Sequence, residues 1–187
     1  PPAWRPGEPL PEPTGLLRAR AGVPPGRRLV LFQGGFSVDR GIEELVAALG
    51  APALANRDVA AVFIGYGRLR DWLVERAAAR PGRVVVLDAV APGELLDLTV
   101  DADVGYVGQP PRTLNHRLNL PNKLFESLQA GVPVVVPAAT ATGDLVRDLG
   151  VGRCVDVERP EAIAEAIAEL AWAPEPDRRA LRARARA

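Results

Sequence analysis

The sequence predicts a doubly wound α/β domain on a parallel sheet of about six strands. Three observations predict it. Short apolar runs without helical period alternate with segments whose apolar residues recur at i, i+3, i+4 and i+7. The runs lack strict polar–apolar alternation, which suits strands covered on both faces. Glycines follow the first two runs, at Gly34-Gly35 and Gly65-Tyr66-Gly67, where a strand must turn sharply towards a helix.

Residues 1–26, opening in PPAWRPGEPLPEP, read as a Pro-rich linker and lead-in, and residues 27–187 as the domain. The first strand is residues 28–33 (RLVLFQ). Ile42, Leu45, Val46 and Leu49 then mark a core-facing helix. A second strand covers 59–64 (VAAVFI), and Leu69, Trp72, Leu73 and Ala77 mark the next helix, ended by Pro81-Gly82. The third strand is 83–87, a short helix follows around 92–98, and the fourth strand is 103–107. Residues 108–121 lack any apolar period and read as a long loop. A helix over 122–130, a strand at 133–136, a short helix near 143–149 and a strand at 153–157 come next. Ile163, Ile167 and Leu170 mark a further helix. The tail RRALRARARA has helical composition without a core-facing stripe, so a surface helix is expected. Ligands of such sheets bind outside the carboxyl ends of the strands. The two glycine turns, the segment after the third strand and the 108–122 loop share that rim.

The composition narrows the function classes. The chain has 187 residues, 48% of them hydrophobic and 25% charged, with formal net charge zero. A neutral balance argues against nucleic acid or a membrane surface as the main partner. No apolar run approaches the roughly 20 residues of a membrane span. One cysteine, Cys154, excludes an internal disulfide and a cysteine-based zinc site. One histidine, His116, excludes a histidine dyad. The chain contains no methionine, so a piece of a longer or processed protein is expected.

Several motifs carry little. Gly34-Gly35 suits either a tight turn or a close approach to a phosphate. Gly65-Tyr66-Gly67 lacks the third glycine of a dinucleotide fingerprint, and no GxxxxGK[ST] loop exists. Asp101-Ala102-Asp103 has the spacing of a DxD metal signature, but aspartates entering a strand usually cap or turn the chain. Ser37 and Ser127 have no histidine at triad spacing.

The informative stretch is LPNKLFESLQAGVPVVVP, residues 120–137. Of 23 basic residues in the chain, Lys123 alone is lysine. It falls in the first turn of a helix, where a positive charge costs roughly 0.3–1 kcal/mol. At about 100° per residue, Leu124, Phe125 and Leu128 share one face, with Lys123 and Glu126 opposite. A solvated ion pair is one reading, worth only a few tenths of a kcal/mol. An anion at the helix start resolves the conflict better: first-turn N–H groups would point at it and Lys123 would add charge. Glu126, one turn of about 5.4 Å further on, suits the vicinal hydroxyls of a ribose. Together these read as a nucleoside-diphosphate site.

The blocks LVLFQGGFSVDRGIEELVAAL, VFIGYGRLR, DADVGYV and LPNKLFESLQAGVPVVVP resemble, in order, those of GT-B glycosyltransferases. The resemblance is closest to the retaining family-four group and covers about residues 28–157. It implies a Rossmann-like, C-terminal donor-binding half, partnered by an N-terminal acceptor-binding half. It implies that Glu126 holds the donor ribose and Arg40 neutralises the pyrophosphate. The backbone at Gly34, Gly35, Asn122, Lys123 and Leu124 would face the phosphates, and the segment near Val90 would read the base. No metal and no cofactor beyond the nucleoside-diphosphate sugar is implied. Two positions depart from the family pattern. Leu118 stands where many members carry a glutamate near the transferred sugar, with Asn115 and Asn119 as nearby substitutes. Gly35 stands where many carry an arginine, leaving the charge to Arg40 and Lys123.

The leading expectation is the donor half of a retaining glycosyltransferase, with Arg40, Lys123 and Glu126 as its catalytic set. The isolated chain is expected to catalyse little. The rivals are a GT-B-like sugar-nucleotide epimerase and an inactive nucleotide- or partner-binding domain. The expected location is the cytoplasm, with any contact to the inner membrane surface supplied by the other half.

Overall fold

A computed structural model describes residues 12–186. Six strands form one sheet: β1 (Arg28–Gly35), β2 (Val59–Tyr66), β3 (Val84–Asp88), β4 (Val104–Tyr106), β5 (Val134–Pro137) and β6 (Gly152–Val155). All pair in parallel, in the spatial order β3-β2-β1-β4-β5-β6. The order reverses between β1 and β4, which opens a crevice at their carboxyl ends.

Successive β1 residues serve opposite faces, as strand geometry requires. Val30 and Phe32 join one core with α2 (Ile42–Ala48), α3 (Pro52–Ala55), α4 (Arg70–Ala79) and α9 (Pro160–Ala171). Leu29 and Leu31 join a second core with Leu17 of α1 (Leu16–Ala21) and Leu98 of α5 (Pro92–Thr99). A third cluster unites β5 with α7 (Asn122–Gln129) and α8 (Ala141–Leu149) through Leu124, Leu128, Val134 and Val146. The remaining helices are α6 (Leu114–Leu118) and α10 (Glu175–Arg186).

The predicted class and all six strands are present, with four local corrections. First, the 1–26 lead-in is not all linker. Its Pro-rich opening, residues 1–11, lies outside the described residues, but residues 16–21 form α1 and bury Leu17. Second, the 108–121 loop contains α6, which buries no residue and so leaves no apolar period to read. Its signal is Thr113, whose hydroxyl accepts from the His116 N–H at 3.1 Å as an N-cap. Third, the tail does face the core, since Leu181 and Ala185, one turn apart on α10, are buried. Fourth, Phe125 is 46% exposed and Ser127 takes the inner position beside Leu124 and Leu128. Ser127 packs where Gly105 of β4 lacks a side chain, a Cβ there standing 2.6 Å from the Ser127 Oγ.

Asp101 and Asp103 are structural. The Asp101 carboxylate accepts from the N–H groups of Gly15 and Leu17 at 2.8 Å each, capping α1 from across the chain. Asp103 accepts from the Leu29 N–H and the Arg28 guanidinium, also at 2.8 Å. Asp101→Ala leaves two helix-start donors unpaired, at about 2 kcal/mol. Thermal unfolding should show Tm falling by roughly 4–8 °C.

Candidate functional site

A cleft of about 350 Å³ opens at the carboxyl end of β1. It is lined by Gln33, Gly34, Gly35, Arg40, Val90, Asn122, Lys123 and Glu126, among others. Five segments build it: the end of β1, the end of β2, the β1–α2 loop, the β3–α5 loop running into α5, and the start of α7. Of the expected donor-site residues Gly34, Gly35, Arg40, Val90, Asn122, Lys123, Leu124 and Glu126, only Leu124 does not line it; Leu118, Asn115 and Asn119 lie outside the lining too. The Leu124 side chain is fully buried in the third cluster, and its N–H donates to Pro121 O at 2.9 Å, so it has no donor left to offer. A larger cleft of about 510 Å³ lies at the amino ends of the strands, near Pro133 and Asp103. Carboxylates pair with two of its three arginines, Arg178 with Asp103 and Glu175 and Arg179 with Glu175, while Arg182 donates to Val100 O at 3.4 Å.

Lys123 is half-buried and makes no ion pair with Glu126. Its side chain runs past Gly34, where a Cβ would stand 3.6 Å from the lysine Cε and 3.7 Å from its Nζ. The ammonium ends 3.8 Å from the centroid of the Phe32 ring. The ring face attracts the cation but replaces little of its hydration. Burial first, and the nearby Arg40 charge second, pull its pKa from 10.5 down to about 7, with Glu126 opposing. The N–H groups of Asn122 and Lys123 precede the first turn's bonds. Pro121, which caps the helix, offers them no side-chain acceptor.

Glu126 is held from below. Its Oε2 accepts from the Gln33 Nε2 at 2.7 Å, and the Gln33 Oε1 lies 3.0 Å from the Thr99 hydroxyl. Burial raises the Glu126 pKa, while the Gln33 bond and the Lys123 charge lower it. Sequence reading missed Gln33. A glutamine at a strand end looks like a polar exit, and its partners come from α5 and α7.

Arg40 donates to the Gln109 Oε1 at 3.4 Å, and the Asn119 Nδ2 reaches the same oxygen at 3.4 Å. The preceding Asp39 sits at φ 65°, a conformation aspartate tolerates better than most residues. Its carboxylate binds Arg112, which also binds Glu158, so the β1–α2 and 108–121 loops are tied together. Leu118, one of the positions that depart from the family pattern, is 65% exposed. His116 is tied through its Nδ1 to Pro110 O at 3.0 Å, and the Ser127 hydroxyl donates to Lys123 O at 2.8 Å. Neither forms a nucleophile–base pair. Among the described residues, neither Arg40 nor Lys123 forms an ion pair with a carboxylate. Two basic side chains therefore meet a helix start, with Glu126 in the same cleft but in direct contact with neither.

The family model described as "Glycosyl transferases group 1" matches residues 27–171. The chain belongs to this family of GT-B glycosyltransferases. This group 1 chain is 32% identical over 159 residues to the GDP-mannose-dependent alpha-(1-6)-phosphatidylinositol dimannoside mannosyltransferase of Mycobacterium tuberculosis. The match covers 83% of the chain but 38% of that relative, so the chain spans well under half its length. Among solved structures, HepE of Anabaena in complex with UDP is similar at TM-score 0.70 and 20% identity, over 91% of this chain and 46% of that one. WaaG, a glycosyltransferase involved in lipopolysaccharide biosynthesis, is similar at TM-score 0.65 and 19% identity, over 95% and 46%. These structural matches establish the fold of this group 1 chain. Among its described residues, no helix is long and apolar enough to cross a membrane.

Proposed function

We propose that the chain is the donor-binding half of a retaining glycosyltransferase that moves a sugar from a nucleoside diphosphate to an acceptor. The observation that carries this reading is the gathering of two basic side chains and unpaired N–H groups at one helix start. Lys123, Arg40 and the first N–H groups of α7 converge on the cleft, and Glu126 lines it one turn further on. In this reading the diphosphate lies against the start of α7, and the ribose hydroxyls donate to Glu126. When the glycosidic bond breaks, negative charge grows on the leaving diphosphate. Donors already aimed at that position stabilise it without reorganisation. Lys123 and Arg40 supply the charge, and the Asn122 and Lys123 N–H groups supply fixed dipoles. Val90 lies on the side of the cleft away from the 108–121 loop, where a base would extend, and the sugar would point towards Asn119 and Leu118. The acceptor would bind to a second half outside this chain. The length of the mycobacterial relative supports that division, and its name makes GDP-mannose the first donor to try.

Calorimetric titration with UDP, GDP and ADP tests the reading. At least one should bind, with weak affinity because half of the cleft belongs to the other domain. No binding of any of the three at millimolar concentration would overturn it. Sugar transfer is expected from the whole enzyme and not from this chain alone.

A further inference from the structure

We propose that Gln33 is a positioning residue for Glu126, and that Thr99 supports it by binding the far end of the Gln33 amide. The inference rests on the donor-site reading above.

Gln33 is 4% exposed and sits on the apolar face of β1 that carries Leu29 and Leu31. A buried primary amide is costly unless both ends are bonded. Here each end has one partner: Glu126 at 2.7 Å and Thr99 at 3.0 Å. The two ends have nearly the same shape and opposite hydrogen-bonding sense. Reversing the amide would press its carbonyl oxygen against the Glu126 carboxylate. The ionised carboxylate, which only accepts, therefore sets the sense, and Thr99, fully buried as the last residue of α5, meets the other end. Its hydroxyl carries one proton, with Gln33 Oε1 at 3.0 Å and Leu95 O at 2.7 Å both in reach. Because the two acceptors share that proton, Thr99 holds the amide oxygen less firmly than Glu126 holds the NH₂.

Two consequences follow for the ribose site. The charge-assisted bond pins one oxygen of Glu126. The other oxygen has no partner among the described residues, and the carboxylate keeps enough lone pairs for a vicinal diol. Burial raises the Glu126 pKa and the same bond offsets part of that rise, favouring the ionised form, which is the better acceptor for both hydroxyls. Gln33 touches no phosphate in this arrangement. Its removal should therefore be felt through the ribose alone.

The test uses the full chain and whichever of UDP, GDP or ADP the wild type binds best, with inorganic pyrophosphate as a second probe. Gln33→Leu should weaken the nucleoside diphosphate by roughly tenfold at pH 7 and leave pyrophosphate unchanged. The loss should grow as pH falls relative to wild type, because Glu126 then takes up its proton at higher pH. Thr99→Val, which keeps the shape and removes the hydroxyl, should act in the same direction with a smaller loss, about threefold. It provides the reading should Gln33→Leu fail to fold. Unchanged affinity and an unchanged pH profile in the folded variants would overturn the inference while the donor-site reading stands. A fall in Tm with both binding properties intact would overturn it equally, since packing alone would explain that. No nucleoside diphosphate binding by the wild type would overturn the donor-site reading, and this inference with it.

Discussion

Lys123→Ala is expected to weaken a nucleoside diphosphate and free pyrophosphate alike, by about a hundredfold. The lysine meets the phosphates, which both ligands share, and truncating a desolvated charge partner costs roughly 2–5 kcal/mol. The pH dependence follows from the same contact. In the free chain the Lys123 pKa is about 7, lowered first by burial. A bound diphosphate favours the ammonium and raises that pKa. Binding above pH 7 should then take up a proton, and affinity should fall as pH rises further. At pH 8 a free diphosphate is itself already ionised, the second phosphate pKa being about 6. Calorimetry in two buffers of different ionisation enthalpy reads the uptake directly. Lys123→Arg, permanently charged, should abolish it.

Stability should move the other way. The folded pKa of Lys123 lies below its ordinary 10.5, so the folded state binds fewer protons than the unfolded state between those values. The penalty is fully present below pH 7 and disappears as pH rises through that window. Lys123→Met should therefore stabilise the unliganded chain at pH 6, by up to a few kcal/mol. A residue that destabilises the empty fold and strengthens ligand binding is what a binding site is expected to retain.

Glu126→Ala should separate the two ligands that Lys123→Ala treats alike. Nucleoside diphosphate binding should fall by about ten- to a hundredfold, and pyrophosphate should be nearly unaffected. The comparison is best made near pH 6.5. The Glu126 charge raises the Lys123 pKa, so at higher pH its loss would also discharge the lysine and blur the split. Equal losses for both ligands would contradict the ribose assignment.

The fold was largely legible because its strands are short, apolar and mostly buried, and helices α2 and α9 carry clear stripes. What was not legible was local structure held from a distance. The short α1 is capped by Asp101, remote in sequence, and no residue inside the helix announces it. Helix α6 buries nothing, and α10 shows the core two small contacts among many arginines. The wheel for α7 failed at Phe125 because hydrophobicity alone chose the inner face. The missing side chain of Gly105 instead admits Ser127. At the site, Lys123 and Glu126 stood out because each is odd for its helical position. Gln33 is ordinary for a strand end, and its meaning lies in Thr99 and Glu126, which only the folded chain brings to it.

The most direct measurement is a crystal structure of the chain with bound GDP or UDP. Density for the diphosphate should lie within hydrogen-bond reach of the Lys123 ammonium and the Asn122 N–H, with the ribose hydroxyls on Glu126. Nucleotide density elsewhere, as in the arginine-lined cleft around Arg178 and Arg182, with the β1–α7 cleft empty, would contradict the assignment.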